Sequence, residues 1–176
     1  MKTIRELRLS LHLAVNEINH ELRNIADKYI VDFDVFLHSK GFNLQREFVW
    51  DINQKRELIW SILKNRHIPR ISLMNIVTYP KDIEGKYEVI DGKQRLSTMI
   101  DFYKNKFTLL IDNKEYLFSD LPVDYQRVIR GYQIPCLVAN EDYGMTFNDH
   151  DRITWFKYIN FAGTPQDKEH LEKFNN

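Results

Sequence analysis

The stretch VIDGKQRLSTMI, Val89 to Ile100, decides how this chain folds. An apolar run ending in Val89-Ile90 meets Asp91-Gly92 and then the polar cluster Lys93-Gln94-Arg95. Behind the cluster, Leu96, Met99, Ile100 and Tyr103 recur three and four residues apart, which predicts a helix from Gln94 to Lys104. A strand, KYEVI, therefore hands over almost directly to a helix. Such a helix starts with unpaired backbone N–H groups and the positive end of its dipole. Glycine at the junction lets the backbone approach a ligand closely. Arg95 can present a planar two-pronged donor, Lys93 adds a point charge, and the hydroxyls of Ser97 and Thr98 are close by. Together these parts describe an anion cradle suited to a nucleotide's phosphates. Asp91, at the carboxyl end of the strand, suits a magnesium ion or the orientation of a water. A plainer reading stands beside this one, in which Asp91 caps the helix and Lys93 and Arg95 are solvated.

A second cluster precedes the first. In Gln45-Arg46-Glu47-Phe48-Val49-Trp50 a polar, cationic pair is followed by two aromatics. A base or sugar could rest against Phe48 or Trp50 while Arg46 meets phosphate. Alternatively, Phe48, Val49 and Trp50 are core residues and Arg46 pairs with Glu47 or Asp51. The pair recurs in DYQR, Asp124 to Arg127, but inside a predicted helix with no aromatic arrangement, which marks it as a decoy.

Working outward, Ile4, Leu7, Leu11, Val15, Ile18, Leu22 and Ile25 predict one amphipathic helix from Thr3 to Lys28. It is read as an extension over residues 1–30, able to serve a protein partner or self-association, ahead of a single domain over 31–176. IVDFDVFL alternates apolar and acidic residues and reads as a strand. A helix follows from Asn53 to Asn65, ended by His67-Ile68-Pro69, and ISLMNIVTY is a strand. FTLLIDNKEYLF is a hairpin turning at Asp112-Asn113. SDLPVDYQRVIRGY is a short helix with Asp120 as cap and Pro122 in its first turn. QIPCLVAN is a strand, and a helix runs from about Thr146 to Phe161 with Trp155, Phe156 and Ile159 on one face. After a break at Ala162-Gly163, Thr164, Pro165 and Asp167 signal a closing helix. The result is one α/β domain with an N-terminal helical extension.

Composition limits the function classes. With 176 residues, 43% hydrophobic and 28% charged, the chain can bury one core. Lys+Arg and Asp+Glu balance at 25 each, which argues against a broad basic face for duplex DNA. The single cysteine, Cys136, lies in the apolar run IPCLV and reads as a buried, inert thiol. No stretch is long and apolar enough for a membrane span, and MKTIRELRLS lacks a secretory core, so a cytoplasmic setting is expected. NDHD, Asn148 to Asp151, holds carboxylates and an imidazole close together, as a metal-dependent nuclease would; a helix cap explains it more simply.

Four blocks, in order, resemble the N-terminal domain of GmrSD-type modification-dependent restriction systems. NLQREFVW is similar to that family's PxYQRxYVW, and LIWSILKNRHIPRISL to its LIxSILxxxxIPxIxL. YEVIDGKQRLSTMIDF is similar to YxVIDGQQRLTTLxxF, and INFAGTPQDKEHL to INxGGxxLxxxEL. The resemblance spans about Phe42 to Phe174. It implies a ParB/sulfiredoxin-like fold and an Asp-Gly-x-x-Arg site that binds or hydrolyses nucleoside triphosphates with Mg2+, coupled to sensing modified DNA. Carried over residue by residue, Asp91, Gly92, Gln94 and Arg95 form the phosphate and catalytic loop, with Gln45 and Arg46 against it. Asn160 and Gly163 would close the pocket. Departures fall at Asn43 for Pro, Leu44 for an aromatic, Lys93 for Gln and Ala162 for Gly. Lys93 keeps the site cationic. In the family a separate HNH domain does the cutting; with the sequence ending at Asn176, none is expected, nor a complete restriction enzyme. The setting expected is DNA-related defence, counter-defence or a mobile element; a phage or plasmid component, virion-associated if phage-encoded, belongs to the reading as a module without turnover. The readings left open are an NTPase, a module that binds without turnover, and a small ParB-like nuclease.

Overall fold

The computed structural model describes residues 14–76, 85–140 and 146–161. In chain order these form β1 (Ala14–Glu21), α1 (Leu22–Lys28), β2 (Ile30–Asp32), β3 (Phe36–Leu37), β4 (Phe42–Asn43) and α2 (Ile52–Leu63). There follow β5 (Ile71–Ile76), β6 (Lys86–Asp91), α3 (Lys93–Tyr103), β7 (Leu109–Ile111), β8 (Lys114–Tyr116), α4 (Val123–Arg130), β9 (Gln133–Asn140) and α5 (Asp149–Phe161). A five-stranded mixed sheet has the order β1-β9-β5-β6-β2. The pairs β1–β9 and β5–β6 are antiparallel, while β9–β5 and β6–β2 are parallel.

Over the inner strands both faces of the sheet are largely buried, which is why those strands read as nearly unbroken apolar runs. On β6, Tyr87 and Val89 join the larger core, with Leu22 and Ile25 of α1, Ile59 of α2 and Leu96, Met99 and Phe102 of α3. Ile90 points the other way, into a smaller core with Val35, Leu37, Leu44, Met74, Trp155 and Phe156. Glu88 shares that second face, where a buried two-pronged pair joins it to Arg152 of α5 (2.7 and 2.9 Å). A charge pair this enclosed holds α5 in one orientation on the sheet.

Several expectations come through at the predicted places. The hairpin β7–β8 turns at Asp112-Asn113, both with positive φ (48° and 62°), the backbone of a primed two-residue turn. Asp51 and Gln54 form a reciprocal capping box that starts α2. The first 28 residues are different. The predicted helix holds only over Leu22–Lys28; Ala14–Glu21 is an edge strand paired along its whole length with β9, and residues 1–13 lie outside the description. Val15 and Ile18 carry the helical spacing yet are each 38% exposed. Pairing with a distant strand overrode the local pattern. IVDFDVFL is split into β2 and β3, with Asp34 in the connection. Asp120 does not cap α4, whose N-cap is Pro122; its carboxylate accepts instead from the Leu117 amide. The break at Ala162-Gly163 and the closing helix lie outside the described residues.

Candidate functional site

The handover from β6 to α3 builds one wall of a cavity. Register between β5 and β6 shifts by one residue between Leu73↔Val89 and Ser72↔Asp91, a bulge immediately before the turn. Gly92 then takes φ +94°, ψ 17° as the N-cap of α3. A Cβ there would lie 3.0 Å from Ile71 Cγ1 and 3.2 Å from Arg95 Nη2, so glycine is needed for torsion and for space. No side chain caps α3, so the plainer reading of Asp91 as its cap does not hold. Leu96 N is the first amide to close within the helix, onto Gly92 O at 2.9 Å, so the amides of residues 93–95 have no acceptor inside it. Asp91 instead accepts from Arg95 Nη2 at 2.9 Å, and the same nitrogen donates to Arg70 O at 3.0 Å. Arg95 Nε is buried with no hydrogen-bond partner among the described residues.

The segment between β4 and α2 supplies the facing wall. Gln45 Nε2 donates to Val89 O of β6. Gln94 Oε1 accepts from the amides of Val49 (3.0 Å) and Trp50 (3.2 Å), and its Nε2 donates to Glu47 O (3.1 Å). Between these two anchors Arg46 is exposed and forms no ion pair with Glu47 or Asp51. Trp50 packs partly against the larger core while lining the cavity, and the Lys55 ammonium sits 4.5 Å from the Phe48 ring centre. The space enclosed is about 150 Å³. Gln45, Arg46 and Trp50 meet Asp91, Gly92, Lys93, Gln94 and Arg95 there, and Phe156 of α5 joins them.

Charges in this cavity are mostly answered within the protein. Lys93 is nearly enclosed, and its ammonium lies 2.6 Å from Asp34 Oδ1, a carboxylate that is itself two-thirds exposed. Arg95 and Asp91 neutralise each other. Among the described residues, Arg46 is the cavity cation with no ion pair. Among the described residues no cluster of three or more His, Cys, Asp and Glu could hold a metal unaided. A magnesium ion would depend on Asp91 together with a ligand's own oxygens, its usual manner with phosphates.

Other expected residues sit elsewhere. Ser97 Oγ and Thr98 Oγ1 are buried without partners among the described residues and do not line the cavity. Asn160 is buried, but its Nδ2 donates to Phe156 O at 2.8 Å; it braces the turn of α5 that carries Phe156 and does not face the site. Gly163 lies outside the described residues. The NDHD group is a helix cap: Asn148 and Asp151 exchange side-chain-to-amide bonds (3.0 and 3.1 Å). Asp149 accepts from the Ser39 amide at 2.7 Å, which holds its carboxyl below the ordinary range. DYQR lies on α4, where Arg127 pairs with Asp124 (3.3 Å), away from the cavity. Cys136 is buried, and its thiol is pushed up to about 12 by that burial.

Sequence reasoning missed Phe156 and Asp34. Phe156 looked like any apolar residue on a helix face, and Asp34 like the polar half of a strand alternation. Only their positions across the sheet give them a part in the site.

Among the described residues no helix is long and apolar enough to cross a membrane. No curated protein and no solved structure matches the chain, so the ParB/sulfiredoxin-like fold remains what the resemblance implies. The family model described as GmrSD restriction endonuclease, N-terminal domain, matches residues 43–176, which contain both walls of the cavity. The chain therefore belongs to the GmrSD restriction endonuclease N-terminal domain family, and its setting is a DNA-related restriction or defence system.

Proposed function

We propose that the cavity binds the phosphates of a nucleoside triphosphate with magnesium, and that the protein is an NTPase domain of such a system. The observation that carries this reading is that Arg46, with no ion pair among the described residues, shares one cavity with Arg95 and the uncapped start of α3. Amides of residues 93–95 and the Arg46 guanidinium offer donors to phosphate oxygens. Arg95, oriented by Asp91 and Arg70 O, is aligned to stabilise charge as a phosphoryl group departs. Trp50 offers a ring face to the sugar or base. When bound, Mg2+ neutralises phosphate oxygens, and Asp91 is the cavity carboxylate that would hold it.

A second reading, binding without turnover, draws on one observation: one oxygen of the Asp91 carboxylate, Oδ2, is already engaged by Arg95 at 2.9 Å, which lowers its strength as a base toward a water. Titrating labelled ATP, GTP, CTP and UTP with magnesium, and following phosphate release, separates the two. Arg46→Ala and Arg95→Ala should each weaken nucleotide binding by about ten- to a hundredfold, the size of a hydrogen bond to a charged group. Release that disappears in Asp91→Ala while binding persists supports the NTPase; binding with no release in the unaltered protein supports the second reading. No nucleotide bound at all would end both.

A further inference from the structure

Gln94 stands inside the ligand loop, yet its side chain is committed to protein backbone. An amide has two acceptor lone pairs and two N–H donors. Gln94 Oε1 takes the amides of Val49 and Trp50, at 3.0 and 3.2 Å, and one Nε2 hydrogen goes to Glu47 O at 3.1 Å. On the other side of Arg46, Gln45 is pinned to β6 through Val89 O. Two glutamines thus hold the chain immediately before and after Arg46, the cavity guanidinium with no ion pair among the described residues.

We infer that Gln94 is a positioning residue that acts on a bound anion through Arg46, fixing the backbone that carries this guanidinium against the first turn of α3. The inference rests on the phosphate reading of the cavity. Its physical basis is entropy and spacing. Arginine has a long side chain with many rotamers, and an unanchored loop would add backbone freedom that an anion must remove on binding. Gln94 and Arg95 are neighbours on α3, so the residue that anchors the Arg46 arm is covalently next to the second guanidinium. One helical turn thereby sets the separation of the two cations. The same bonds fix Trp50 through its own amide.

A double-mutant cycle tests this, with inorganic tripolyphosphate and magnesium as the probe, measured calorimetrically on the full chain. Gln94→Ala should weaken binding about tenfold in the otherwise unaltered protein, and by less than about twofold when Arg46 is already alanine. Equal losses in both backgrounds would make Gln94 an independent ligand contact and overturn the inference, as would no loss in the first. If the alanine variant does not fold, Gln94→Met, which keeps the volume, takes its place in the cycle. A ligand-free measurement covers the remaining case. Tryptic cleavage after Arg46 should accelerate about tenfold in the Gln94 variant relative to cleavage after Arg127. An unchanged ratio overturns the clamp whether or not polyphosphate binds. Failure of the unaltered protein to bind tripolyphosphate, with cleavage accelerated, counts against the phosphate reading alone.

Discussion

At Gly92 the backbone occupies φ +94°, and an added methyl group would meet Ile71 Cγ1 at 3.0 Å. Gly92→Ala should therefore cost about 2 kcal/mol in a urea titration, from a left-handed torsion on a residue with a Cβ. It should also weaken anion binding, because relief of the contact must move either Ile71 or the start of α3. Full stability in this variant would mean that the turn can relax without loss. Lys93 shows how a single residue's part depends on its neighbour. The ammonium is cationic in sequence, but Asp34 answers it at 2.6 Å, so the charge that a ligand meets is smaller than a count of basic residues suggests. Nothing near Asp34 in the sequence announces this partnership, since the two residues are joined only by the fold.

Elements with local causes were legible. α2, α3 and the β7–β8 hairpin arise from periodic apolar spacing, glycine and turn residues within a few positions of one another. β1 was not legible, because its partner β9 lies more than a hundred residues away: Ala14 faces Asn140. α5 was legible as a helix, but its seat on the sheet depends on a contact 64 residues apart. Its Arg152 meets Glu88 on β6 in a pair whose side chains are 15% and 9% exposed. Glu88→Ala should destabilise the protein by about 3 kcal/mol by chemical denaturation, because the enclosed guanidinium loses its two-pronged carboxylate and keeps Phe147 O at 2.9 Å and the more distant Asp149 at 3.8 Å. The same variant should loosen Phe156 at the cavity, so anion affinity should fall with stability. A loss of stability near zero would show that α5 is held by its apolar face alone.

For the molecule as a whole, acid is the informative stress. His20 lies half-buried against Tyr29 and Tyr87, its Nε2 3.3 Å from the Tyr87 hydroxyl, and burial lowers its pKa below the ordinary 6.5. The unfolded chain therefore binds the proton first, and the stability due to neutral His20 is present above about pH 6.5 and lost as pH falls below it. Urea midpoints from pH 8 to 5 should decline in the unaltered protein and decline less in His20→Gln; equal slopes would remove His20 as the cause. Asp149, held low by the Ser39 amide, has the same sign in a window below about pH 4. The sequence by itself determined the strand-to-helix handover, the need for glycine at the turn, the neighbouring amide and guanidinium at Gln45-Arg46 and the family. These follow from torsional preference, short-range periodicity and ordered motifs, all carried by neighbouring residues. Only the tertiary structure decided that β1 is a strand, that Gln94 holds the Arg46 arm, that Asp34 answers Lys93 and that Phe156 lines the cavity. Each of those depends on hydrogen bonds, charges and apolar surfaces satisfied by partners far along the chain, and local pattern carries no record of which distant group will satisfy them.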